Sequence, residues 1–235
     1  MRKIHFLATL TAGAAIFAGA VLLTGSFQDV AGQQTSPTAR VPIGAVAAQA
    51  AGRVHVGPDG TTDIFGYFTF VEGMPGLFKG APAASGAHLT YRAEPTSAQF
   101  VENGRVLHLI AAPTNGQFSR IGVYYQADPQ RDLDRGDSFS DGTHVASFRT
   151  HGTRANVTSN AYFLATTLEL EWAIDFRHQD RTVNLRSLGD SATLQSFGPG
   201  AQLDALIDQV GREGRVTVDY GATAFAAGAY PLPGQ

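Results

Sequence analysis

The 235-residue chain contains no cysteine. That excludes a disulfide framework, a Cys/His zinc set and lipid attachment at an N-terminal cysteine. Stability must therefore come from a packed core, and a chain of this length can bury a sizeable one. Lysine is almost missing as well: Lys3 and Lys79 are the only two. Lys79 stands in the Gly/Pro-rich stretch EGMPGLFKGAP, which predicts a solvated ammonium rather than the desolvated one a Schiff base needs. No basic run and no stripe of alternating aromatic and basic residues occurs. The formal charge is −3, falling to −5 once Arg2 and Lys3 are removed. Phosphate backbones need clustered positive charge, so nucleic acid is not an expected partner.

Several motifs are absent too. There is no GxSxG, GxGxxG, P-loop or HExxH, and no alternation of strands with helices that would build a Rossmann-type or TIM-type fold. The tripeptide Gly-Asp-Ser occurs at 136–138 and 189–191. It resembles the nucleophile block of GDSL-type hydrolases, which implies an α/β scaffold and a late catalytic histidine. No histidine follows His178, and both copies read as turns.

What is present begins with MRKIHFLATLTAGAAIFAGAVLLTGS. A basic start, an uncharged run over 6–23 and small residues at Thr24 and Ser26 predict an export signal over 1–26, cleaved after Ser26. The same run is long enough to stay as a membrane anchor. The chain is thus expected to be secreted or periplasmic, or membrane-anchored through 6–23, with membrane contact only through this segment. Residues 27–60 are rich in Ala, Gly, Gln, Ser and Pro without sustained periodicity, and are expected to form a flexible linker. A single domain is expected over 61–235.

That domain is a succession of short β-rich runs bounded by turn formers. TLELEWAI alternates Leu168, Leu170 and Trp172 against Glu169 and Glu171, which predicts the first set inside and the glutamates outside. One stretch is helical in period, with Leu203, Leu206, Ile207 and Val210 spaced as one face and Gly211 as its stop. The expectation is an all-β fold with one short helix: an antiparallel β-barrel of about eight strands, calycin-like in architecture, with a β-sandwich as the alternative.

The stretch DPQRDLDRGDSFSDGTHVASFRTH concentrates acids. Asp132, Asp134, Asp137 and Asp141 resemble a calcium loop, but Gly136-Asp137 reverses the EF-hand order and no closing Glu follows. Arg131 and Arg135 can balance the acids locally. The favoured reading is a surface connection feeding a strand on which His144, Ala146 and Phe148 face inward and His151 outward. No metal and no cofactor is implied. Asn156-Val157-Thr158 fits a glycosylation acceptor. If the barrel catalyses a reaction, His108, His144 and Glu72 are the acid–base candidates. If it binds a ligand, Tyr125, His144, Phe148, Trp172 and Tyr220 are the expected contacts. Binding of a small apolar molecule, or service in the cell envelope, ranks first. A structural surface protein with a filled barrel ranks second, and a cyclase- or isomerase-type enzyme third. Oligomeric state is not encoded in any pattern here.

Overall fold

The computed structural model describes residues 41–57, 59–103, 106–113, 119–157, 161–199 and 216–227. The export signal, the start of the expected linker and the helix expected over 203–210 lie outside these residues. The described residues belong to one unit, Thr38–Gln235. Its strands are β1 (Val46–Val56), β2 (Thr61–Val71), β3 (Leu89–Ala93), β4 (Thr96–Asn103), β5 (Val106–Pro113) and β6 (Ser119–Tyr125). They continue with β7 (Thr143–Val157), β8 (Ala161–Ala173), β9 (Phe176–His178), β10 (Arg181–Val183), β11 (Ser191–Pro199) and β12 (Val216–Ala226). Short 3-10 turns occur at Ala84–Gly86, Gly136–Ser140 and Leu185–Leu188.

Eight strands close a ring in the order β1–β2–β3–β6–β7–β8–β11–β12, and β12 returns to β1; every pairing is antiparallel. Closure leaves no free sheet edge and rules out the sandwich alternative. Toward one end, β4 and β5 take the places of β3 and β6: β4 pairs with the start of β2, and β5 with the end of β7. Pro95 sits in the bend between β3 and β4, where its missing N–H breaks the ladder. The β9–β10 hairpin lies outside the ring. The run RTVNLRSL is a strand only as far as Val183, and then turns into the 3-10 segment Leu185–Leu188.

The linker expectation needs correction. Residues 46–56 are β1, a full member of the ring, paired with β2 on one side and β12 on the other. VAAQAAGRVHV lacks large apolar residues in its first half, so its alternation is one of small side chains and did not read as a strand.

Inside the ring, Ala48, Leu89, Tyr91, Val123, Ala146 and Leu170 join Val71, Met74, Leu77 and Phe176 in one core. A second, smaller cluster lies on the outer face. Phe65 and Phe139 are fully buried against each other, with ring centroids 5.0 Å apart. The turn Gly136–Ser140 covers this face, and Thr90 Oγ1 donates to the Phe139 carbonyl at 2.7 Å. The acidic connection is therefore partly packed down on the barrel, with Arg131 buried and donating to the Ser138 carbonyl.

Two β-bulges overturn two expected orientations. On β7, Val123 pairs with Ala146 but Tyr124 with His144, so Val145 is an extra residue. Ala146 and Phe148 face the interior as the alternation requires, but the bulge sends His144 to the outer surface. On β8, Phe148 pairs with Leu170 but Ser147 with Trp172, so Glu171 is extra. Leu168 and Leu170 are buried, while Trp172 joins the glutamates outside and is 37 % exposed.

Candidate functional site

A cavity of about 70 Å³ lies inside the ring. One wall is made of alanine methyls: Ala48 and Ala50 of β1, Ala222 and Ala224 of β12, and Ala192 of β11. These residues are in register, Ala48 opposite Ala224 and Ala50 opposite Ala222, so small side chains meet small side chains across the strand pair. The facing wall carries larger groups, Phe68, Tyr91, Ile121, Val123 and Phe148. In a ring of eight strands the interior is just wide enough for side chains to fill. Replacing branched residues by alanine along three neighbouring strands is what leaves room. At one end the cavity is bounded by Leu185 and Leu188 of the 3-10 turn, with Gly189 and Ser191 beside them. Gly189 has φ +117°, a conformation that favours glycine.

The polar feature of this interior is a tyrosine pair. Tyr91 on β3 and Tyr220 on β12 are separated by two strands, yet their hydroxyls are 2.6 Å apart. They meet because the residues between them are glycines. Tyr91 pairs with Gly66, Gly66 with Gly52, and Gly52 with Tyr220. A Cβ on Gly52 would lie 2.5 Å from the Phe65 carbonyl and 2.9 Å from the Tyr220 hydroxyl, and closer still to that of Tyr91. The phenols thus lie over a glycine floor. Burial pushes the Tyr91 phenol well above its ordinary value, and the neighbouring Tyr220 adds to the rise, so Tyr91 remains a protonated donor.

Of the expected ligand contacts, Phe148 lines the cavity, Tyr220 packs against the core beside Tyr91, and Tyr125 packs at the end of the ring against Phe176, 4.8 Å between ring centroids. Burial raises the Tyr125 phenol. His144 and Trp172 are not with them. His144 stacks on Tyr124 at 4.6 Å and meets Trp172 edge-on at 4.6 Å, forming an outer aromatic patch. Desolvation between these rings lowers the His144 imidazole below its ordinary value, outweighing a backbone hydrogen bond to Ala146. Beside it, Glu171 accepts from Arg120 Nε at 2.8 Å, Arg149 Nη2 at 2.9 Å and Ser147 Oγ at 3.3 Å. Burial acts to raise this carboxyl, but the arginine hydrogen bonds prevail and hold it below the usual range.

The remaining candidates are scattered. Glu72 is exposed past the end of β2. His108 lies on β5 opposite Val101 and Asn156, and its side chain lies outside the described residues, as does that of His151. Asn156 stands within β7. In the acidic loop, Asp134 pairs with Arg53 at 3.1 Å, Asp137 with Arg92, and Asp128 with Lys79. Asp132 Oδ1 accepts from the Asp134 backbone N–H at 2.9 Å, and Asp141 ends the 3-10 turn. The arginines come from β1 and β3, a neutralisation invisible in the local sequence. Among the described residues no group of three or more His, Cys, Asp or Glu is placed to hold a metal, and no helix is long and apolar enough to cross a membrane.

Sequence reading missed the alanine wall and the tyrosine–glycine row. A usable signal existed in YGATAFA, where Ala222, Ala224 and Ala226 recur with period two. Comparison with protein families, with curated proteins and with solved structures finds no match.

Proposed function

We propose that the protein is an exported binding protein that holds a small apolar molecule inside the barrel, against the alanine wall. The observation that carries this reading is the cavity of about 70 Å³ with its nearly all-apolar lining. That is about half the roughly 150 Å³ of an engineered apolar cavity that stays dry and admits benzene. Apolar pockets with few, placed polar groups are where small ligands bind. Export rests on the sequence: Arg2 and Lys3 before the uncharged run 6–23.

Titration with small hydrocarbons, followed by NMR, tests the binding reading. Saturable binding in the wild type that is lost in Ala222→Leu, which fills the space, is the expected result. Absence of binding, or binding unchanged by Ala222→Leu, refutes it. Deleting residues 2–26 is expected to keep the chain in the cytoplasm, and unchanged localisation refutes export. The modest size of the cavity supports a second reading, a structural envelope protein with a filled barrel. It expects no saturable binding.

A further inference from the structure

We infer that the ligand is an unbranched alkyl chain bound end-on, its methyl end in the cavity and the rest passing out beside the turn Leu185–Leu188. The inference rests on the binding reading above and names the ligand class and its way in. Size carries the first half. A cavity of roughly 150 Å³ admits benzene, a ring of six carbons. On that scale the cavity of about 70 Å³ takes about three carbons in a row and no six-membered ring. Depth is limited on one side. On β1, β2 and β12 the lining stops at Ala50, Phe68 and Ala222. The next inward residues are Gly52, Gly66 and Tyr220 of the tyrosine–glycine row, and none of them lines the cavity. The bonded phenols, 2.6 Å apart, fill the space over the glycines, so the cavity ends at this row.

The other end is built differently. Leu185, Leu188 and Gly189 are the lining residues that lie outside the ring strands. A molecule crossing the wall elsewhere must part a ladder of backbone hydrogen bonds, whereas one passing here displaces side chains and a short turn. The turn is bonded largely to itself. Ser187 N–H donates to the Asn184 carbonyl at 3.1 Å, Gly189 N–H to the Arg186 carbonyl at 3.1 Å, and Arg186 N–H to Asn184 Oδ1 at 2.9 Å. Outward, the Ser187 carbonyl accepts from Val41 N–H at 3.2 Å, and Asn184 Nδ2 donates to Asp175 at 2.6 Å. Val41 and Asp175 both lie outside the ring strands. Leu188 is half-buried, and Gly189 at φ +117° ends the turn as a small residue able to absorb a hinge movement. Moving Leu188 therefore opens the cavity without disturbing the barrel. A stop at one end and an opening at the other suit a chain, because only its end has to fit.

Two alcohols of similar hydrophobicity and different shape, 1-pentanol and cyclohexanol, test the inference by NMR titration into the wild type. The linear alcohol is expected to bind at least about tenfold more tightly, because a ring overpacks this space. Equal affinities, or tighter binding of cyclohexanol, overturn the inference and leave the binding reading standing. Propane that binds while 1-pentanol does not has the same effect, since the occupant is then a small hydrocarbon alone. Failure of 1-pentanol, cyclohexanol and propane to bind overturns the binding reading itself. These arms need no variant to fold. The way in is read from rates: in Leu188→Ala both association and dissociation of 1-pentanol are expected to quicken about tenfold with affinity nearly kept, as for a wider entrance. Leu133→Ala, which trims the outer cluster instead, is expected to leave both rates unchanged. Faster dissociation alone, or equal acceleration in Leu133→Ala, overturns the entrance at Leu188.

Discussion

Gly52→Ala isolates the tyrosine–glycine row in a single methyl group. The added Cβ would meet the Phe65 carbonyl at 2.5 Å, the Tyr220 hydroxyl at 2.9 Å and the Tyr91 hydroxyl closer than either. The two phenols can swing aside only by giving up their mutual bond, and the carbonyl can move only with β2. Overpacking of a tight interior costs about 1–3 kcal/mol. A backbone atom is among the obstacles, so the upper part of that range applies, about 2–3 kcal/mol. The gain from a stiffer unfolded chain, about 0.4–1 kcal/mol, offsets little of it. In a protein of 150–250 residues each kcal/mol moves the melting temperature by about 2–4 °C, so a drop of about 4–12 °C is expected by calorimetry. Gly221→Ala is the control. Its Cβ would meet nothing nearer than the Ala50 carbonyl at 4.0 Å. Its melting temperature should stay level or rise slightly. If Gly52→Ala melts with Gly221→Ala, the glycines do not make room for the tyrosines and the description of the row is wrong.

Trp172→Ala should cost clearly less than the roughly 3–5 kcal/mol typical of a buried aromatic, because the ring lies outside the barrel and is 37 % exposed; a loss within the core range in urea titration would put the ring back inside. Trp172 is the sole tryptophan, so its fluorescence reports on His144 edge-on beside it. Quenching should grow as His144 protonates below its ordinary value of about 6.5, and should vanish in His144→Gln. The folded imidazole value is below the unfolded one, so the unfolded chain takes up the proton first and stability falls as pH drops through that window; His144→Gln should flatten this limb of a denaturation series. Glu171 has the same ordering at lower pH. Its folded value is depressed, so its contribution is present above the unfolded value of about 4.3 and is lost as pH falls below it. Glu171→Gln should weaken that acid-side loss, with a cost near neutrality of about 1 kcal/mol for a mostly surface network.

The β-rich class was legible because alternation survives wherever large apolar residues mark one face, as at Leu168 and Leu170. Ring closure was not, since it depends on β1 meeting both β2 and β12, and β1 was hidden by its alanines. Alternation also fails at bulges. Val145 and Glu171 carry no turn-forming chemistry, yet each adds one residue and reverses the face of what lies beyond it. That is why His144 and Trp172 were expected at a ligand and stand instead on the outer surface, while Phe148, with its alternation unbroken from Ala146, faces the cavity. The glycines at 52 and 66 and the tyrosines at 91 and 220 lie on four strands, and their alignment is a property of register alone.

The binding reading stands or falls on the apolar cavity between the alanine wall and Phe148. A crystal of the protein pressurised with xenon tests it most directly, because xenon enters apolar cavities without polar help. One strong xenon peak bounded by Ala50, Ala222 and Phe148 is expected in the wild type, and no peak there in Ala222→Leu. A wild-type crystal with no xenon at that position would contradict it.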